Sequence, residues 1–135
     1  MPQLDWDEQE VLEYLVVLPE VEEYETSHRY TLGADGLSLR VTIWQWESAV
    51  QLTLSRDGTA EEITNFALIV RDRIRYRNEK WGEYLEFKDC VLSPDRFFHI
   101  YVGDVFDRGL FSKGLLVKLF VRPTIRIEFG WAGFA

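Results

Sequence analysis

The spacing of apolar residues changes once, near residue 24, and that change decides most of what this chain can become. Beyond it apolar and polar side chains alternate, as they do along an extended strand whose successive side chains point to opposite faces. Tyr24, Thr26, His28, Tyr30 and Leu32 share one face, GADG (33–36) supplies a turn, and Leu37, Leu39, Val41 and Ile43 resume the pattern. Closing 33–36 sets Leu32 opposite Leu37, Tyr30 opposite Leu39 and His28 opposite Val41. Closing 45–48 sets Ile43 opposite Val50, Val41 opposite Leu52 and Leu39 opposite Leu54. Both closures gather apolar residues on one face, and a one-residue slip would turn them all out to water. The expectation is a three-stranded meander, with Thr42 and Trp44 on its far side and Trp46 in a hairpin loop.

Asp57-Gly58 is a hairpin signal, and a long strand over about 63–77 follows it. This strand passes from FALIV (66–70) into VRDRIRYR, where Arg71, Arg73, Arg75 and Arg77 fall on one face. Four like charges in a row must be offset by carboxylates, aromatic faces, water or an anionic partner. With NEKW (78–81) as the loop into a strand over 82–92, Arg75 faces Tyr84 and Arg73 faces Glu86. Arg71 and Arg77 are left with no carboxylate opposite. Three readings of the row stay open: a solvated strand face paired as above, docking against carboxylates of a partner or of the chain's own acidic segment, and capture of a small anion inside a barrel.

Before residue 24 the period is helical. Asp5 is placed to cap a helix over 6–17, with Glu8 at its third position, and Val11, Leu12, Leu15 and Leu18 fall on one side until Pro19 ends the element. The first 28 residues hold nine acids and neither Lys nor Arg, whereas the other 107 hold 14 acids against 15 bases. The net charge of −8 therefore belongs to the N-terminal segment. A near-neutral body disfavours nucleic acid as a partner, because non-specific binding needs a broad cationic surface. An acidic arm suits a basic partner or this chain's own arginines.

Further along, RFFHIYV (96–102) is another strand candidate, GDVFDRGLFSKG (103–114) the longest loop, and LLVKLFV (115–121) and TIRIEF (124–129) two closing strands around Pro123. The whole reads as one mainly β domain over 1–135, with an acidic helical segment at 1–22 and a β-rich body at 23–135. The expected fold class is an antiparallel β-sandwich or partly open barrel of about seven to eight strands with one N-terminal amphipathic helix. The apolar end FGWAGFA (129–135) is expected to be docked. No apolar run approaches the ~20 residues of a membrane helix, and MPQLDWDEQE is acidic where a secretory signal is basic. The lone Cys90 forms no internal disulfide. Cytoplasmic location, with no membrane partner, is the expectation.

Chemistry-bearing patterns are sparse. GDVFDRG (103–109) resembles the GDxxDRG signature of metal-dependent serine/threonine phosphatases, a resemblance that implies an aspartate at a two-metal site and an arginine on phosphate. The family's other ligands come from further motifs rich in histidine, and this chain has only His28 and His99, both upstream. Asp104 and Asp107 alone cannot build such a centre, so a polar glycine-flanked loop is expected. Cys90 lies in an ordinary strand with nothing to lower its thiol pKa, and His28 and His99 alternate with aromatic residues as core histidines do. No catalytic residue, metal or cofactor is assigned. The expected function is a non-catalytic protein-interaction module binding another chain, self or hetero. One concrete version is an acidic immunity- or inhibitor-type protein meeting a basic partner. The alternative is a β-barrel holding a small anion through its arginines. Candidate partner- or anion-binding residues are Arg71, Arg73, Arg75, Arg77, Tyr84, Trp44, Trp46, Trp81, Glu10 and Glu13, since tryptophan and arginine dominate interface energetics.

Overall fold

The structure, a computed structural model, describes residues 4–59, 61–93 and 114–131. The 96–102 strand candidate, GDVFDRG and His99 lie outside these residues, as does 132–135. Among the described residues one helix, α1 (Glu8–Leu15), precedes eight strands: β1 (Glu20–Val21), β2 (His28–Ala34), β3 (Leu37–Trp44), β4 (Ala49–Arg56), β5 (Glu62–Glu79), β6 (Gly82–Ser93), β7 (Leu115–Phe120) and β8 (Arg126–Trp131). They form a single antiparallel sheet in the order β1-β2-β3-β4-β5-β6-β7-β8. The mainly β body with one N-terminal helix is as expected; the sheet is open and does not close into a barrel.

The β3–β4 register is the expected one, Leu39 opposite Leu54, Val41 opposite Leu52 and Ile43 opposite Val50. Two other hairpins are each offset by two residues from the sequence-based register. Leu32 faces Leu39 and Tyr30 faces Val41 across a two-residue Asp35-Gly36 turn. Arg77 faces Tyr84, Arg75 faces Glu86 and Arg73 faces Lys88 across Lys80-Trp81. The cause is the same in both: two-residue loops match the twist of paired strands, and the alternation cannot tell a register from one offset by two. Faces were therefore legible, and cross-strand neighbours only between β3 and β4. At Asp57-Gly58 the outcome is the reverse, a longer connection closed by Arg56 N–H donating to the Glu61 carbonyl at 3.1 Å.

The core lies on one face of the sheet, under α1. Val11, Tyr14 and Leu15 pack there against Leu39, Val41, Ile43, Leu52, Leu68, Ile74, Leu85, Phe87, Val117 and Leu119, all buried. The helix is shorter than expected, and Asp7, not Asp5, caps it by accepting the Gln9 N–H at 2.9 Å. Val16 then takes a left-handed conformation (φ 60°) and ends the helix, three residues before Pro19. Leu18, expected on the apolar stripe, is exposed as a result. Tyr14 ties the layers together: its hydroxyl donates to the Glu83 carbonyl at 2.8 Å and accepts the Val121 N–H at 3.1 Å.

Strand β5 has 18 residues and its neighbour β4 only eight, so the second half of β5 outruns its partner on that side. Unpaired backbone N–H groups along a strand edge must find acceptors. The Val70 N–H reaches the Ser48 carbonyl (2.8 Å), the Ile74 N–H the Asp5 carbonyl (3.0 Å) and the Tyr76 N–H the Glu10 Oε1 (2.8 Å). The acidic N-terminal segment thus finishes the sheet edge, with Asp5 bridging Arg73 in parallel.

Candidate partner-binding surfaces

The arginine row lies on the sheet face opposite α1, and three of its four members have carboxylate partners. Arg71 binds Asp89 at 2.7 Å, Arg75 binds Asp5 at 3.0 Å and Arg77 binds Glu86 at 3.3 Å. This corrects the sequence-based pairing, in which Arg73 met Glu86 and both row ends stood alone. Among the described residues Arg73 is the member without a carboxylate, opposite Lys88 and with a buried, unpartnered Nε. Asp89 reaches Arg71 because it sits at a bulge in β6, itself left-handed (φ 61°). The Arg75–Asp5 pair realises docking against the chain's own acidic segment. The eight described strands form one open sheet and not a barrel, so among the described residues the arginines have no barrel interior in which to hold an anion.

Beside the row, Trp81 stacks on Tyr84 with ring centroids 5.2 Å apart and planes 12° from parallel. Lys118 Nζ lies over both rings, 4.7 Å and 5.2 Å from their centroids. Trp81 and Trp46 are exposed, Trp46 in the β3–β4 turn. Trp44 is half-buried against a small second cluster of Ala49, Ile69 and Val91 on this far face. The described part of the chain end is docked on this domain as β8, with Phe129 5.8 Å from Phe66, although Phe129 and Trp131 keep about half their surface exposed.

The opposite side of the molecule is acidic. A cleft of about 230 Å³ between α1 and the β5–β6 hairpin is lined by Glu10, Glu13, Tyr14, Tyr76, Glu83 and Arg122. Arg122 donates to the Tyr14 carbonyl and lies 4.7 Å from the centre of its ring. The Tyr76 hydroxyl donates to Glu83 at 2.6 Å, which holds its proton on and raises its pKa. Burial likewise raises Tyr14, against the pull of the Val121 amide and Arg122. Of the two candidate glutamates, Glu10 spends one carboxylate oxygen on the Tyr76 amide and is half-buried, whereas Glu13 is exposed and held only by Gln9.

Two further groups can be judged by their chemistry. Ligand atoms of Glu8, Glu25 and His28 lie within 4.8 Å of one another. His28 is buried, its Nε2 3.4 Å from Glu8 and its ring near-perpendicular to Trp6 with centroids 5.0 Å apart. A ligating imidazole is usually oriented by a hydrogen bond at its other nitrogen, and here Nδ1 has none. The arrangement fits a core histidine packed between Glu8 and Trp6 better than a metal ligand. The Cys90 thiol is buried, donates to the Phe87 carbonyl at 3.2 Å and is pushed up by burial and by Asp89, the reverse of what a nucleophile needs.

Sequence reasoning missed one surface altogether. Val16, Leu18, Val21 and Tyr24 are 72%, 83%, 50% and 82% exposed, four large apolar side chains within nine residues. The signal was present as LVVLPEVEEY (15–24), apolar and acidic residues mixed without a clean period.

The fold defined by these elements is an open antiparallel meander with a helix on one face. No family model matches this chain, and no curated protein matches it in sequence. Among solved structures it is similar to a chain of the contact-dependent growth inhibition toxin–immunity protein complex from Klebsiella pneumoniae 342, at 19% identity and a TM-score of 0.70. The match spans 97% of this chain and 99% of that one. At this identity the likeness is one of fold.

Proposed function

We propose that this chain is an immunity-type protein: a non-catalytic module that binds and neutralises a basic toxin domain through its acidic N-terminal side. The single observation that carries the reading is an end-to-end fold match to a chain of a toxin–immunity complex, in a protein whose net charge of −8 is concentrated on one segment. Clustered carboxylates raise encounter rates with a cationic partner and repel wrong ones. Glu13, beside the Tyr14–Tyr76 cleft, is the cleanest of these carboxylates because among the described residues it accepts only from the Gln9 side chain of its own helix. Trp46, Trp81 and Arg77, with Tyr84 buried beneath Trp81, lie on the other face and are available to a second contact. Arg71, Arg73 and Arg75 face the same side as that group. Cytoplasmic residence is part of the proposal.

The test is calorimetric titration with the products of the genes neighbouring its own, a basic toxin domain among them being the expected partner. A 1:1 complex is expected, about tenfold weaker when ionic strength rises from roughly 50 to 300 mM. Glu13→Lys is expected to slow association at unchanged melting temperature. Salt-independent binding, or none, would count against the proposal. Growth arrest when the chain is expressed alone would assign it to the toxin half instead.

A further inference from the structure

The exposed apolar residues after α1 are not explained by the fold. Val16, Val17 and Leu18 form with Leu12 and Glu13 an open groove of about 290 Å³. Beyond it Val21 lies on β1, one of the two edge strands of the described sheet, and Tyr24 on the short turn Glu23–Glu25. The backbone here is strained as well as exposed. Val16, Tyr24 and Glu25 have φ of 60°, 60° and 56°, a region that costs any residue with a Cβ and a β-branched valine most. Such conformations are concentrated where a surface is used. Glu13, Glu20, Glu22, Glu23 and Glu25 accompany the apolar residues, and among the described residues none of them has a Lys or Arg within ion-pair distance.

We infer that this groove and the β1 edge are the apolar anchor site of the partner interface, and that the partner segment seated there carries apolar side chains flanked by Lys or Arg. The inference rests on the immunity-type reading and adds the chemistry of the contact. Apolar burial at the groove supplies the slow dissociation, and the carboxylate surround selects cationic flanks. A second copy of this chain fits poorly. A two-fold interface presses a surface against itself, which would set five glutamates against their own copies.

The experiment pairs Leu18→Ser with Val21→Ser, changes at exposed positions that leave the melting temperature within about 2 °C. The control is Ile63→Ser, an apolar residue elsewhere on the sheet that is as exposed as Val21. With the cognate toxin domain the double variant is expected to dissociate at least about tenfold faster with its salt dependence unchanged. Ile63→Ser is expected to match wild type. If wild type binds and the double variant binds as tightly, the anchor site is overturned while the immunity-type reading stands. If wild type does not bind, that reading falls and the anchor falls with it. A wild-type dimer in sedimentation that Leu18→Ser dissolves would make a second copy the occupant and also overturn the inference.

Discussion

At the scale of single residues, two positions are fixed by backbone geometry. Gly114 precedes β7 and lies against the β6 bulge: a Cβ there would sit 2.9 Å from the Asp89 Cα and 2.8 Å from its carbonyl carbon. Neither atom can move without breaking the bulge that delivers Asp89 to Arg71. Gly114→Ala is therefore expected to cost about 2–3 kcal/mol, read as a lower urea midpoint at unchanged slope. Val16 is the opposite case. Its left-handed backbone ends α1, a place that glycine usually takes. Val16→Gly removes a strain of about 1–2 kcal/mol and adds roughly 0.5–1 kcal/mol of chain entropy to lose on folding. The expected outcome is stability equal to wild type or higher by up to ~1 kcal/mol, together with weaker partner binding. Loss of stability would show that Val16 is held by contacts the fold needs. Neither position was legible in the sequence, where Gly114 read as the end of a loop and Val16 as one more apolar residue of a helix.

At the scale of elements, the alternation of residues told which face each strand buries and left its neighbours open. The period of two is unchanged by a two-residue offset, so the Arg75–Glu86 and Arg77–Tyr84 pairings needed the loop conformation to settle them. The unexpected element is the Asp5 segment. Sequence placed it as a helix cap, and in three dimensions its carbonyl and the Glu10 carboxylate satisfy the outer edge of β5. Removing residues 1–7 is expected to leave that edge open, with Ile74 among the fastest-exchanging core amides by hydrogen–deuterium exchange and a tendency to associate through β5. Protection of Ile74 in the truncated chain would show that the edge is closed by something else. Tyr14→Phe tests the helix-to-sheet tie in the same way. The Val121 N–H loses its acceptor in a buried site, at a cost of about 1–3 kcal/mol.

At the scale of the whole molecule, stability depends on phenols that stay protonated. Burial, with the charge of Glu8 added, pushes Tyr30 up from 10.0 to about 12. The folded pKa lies above the unfolded one, so this contribution is complete below pH 10 and is lost as pH climbs toward 12. The urea midpoint is expected to fall across that window in wild type and to fall less in Tyr30→Phe. The strand order carries a different consequence, one of timing. Each strand of the meander pairs with its neighbours in sequence, so hairpins can zip as they leave the ribosome without waiting for distant chain. The N-terminal segment with its helix is the exception, for its ties run from Asp5 to Arg75 and from Tyr14 to Val121, the latter 107 residues apart. Residues 5–14 are thus the last to find their place, and until β5 and β6 have paired the acidic segment is an arm without a seat.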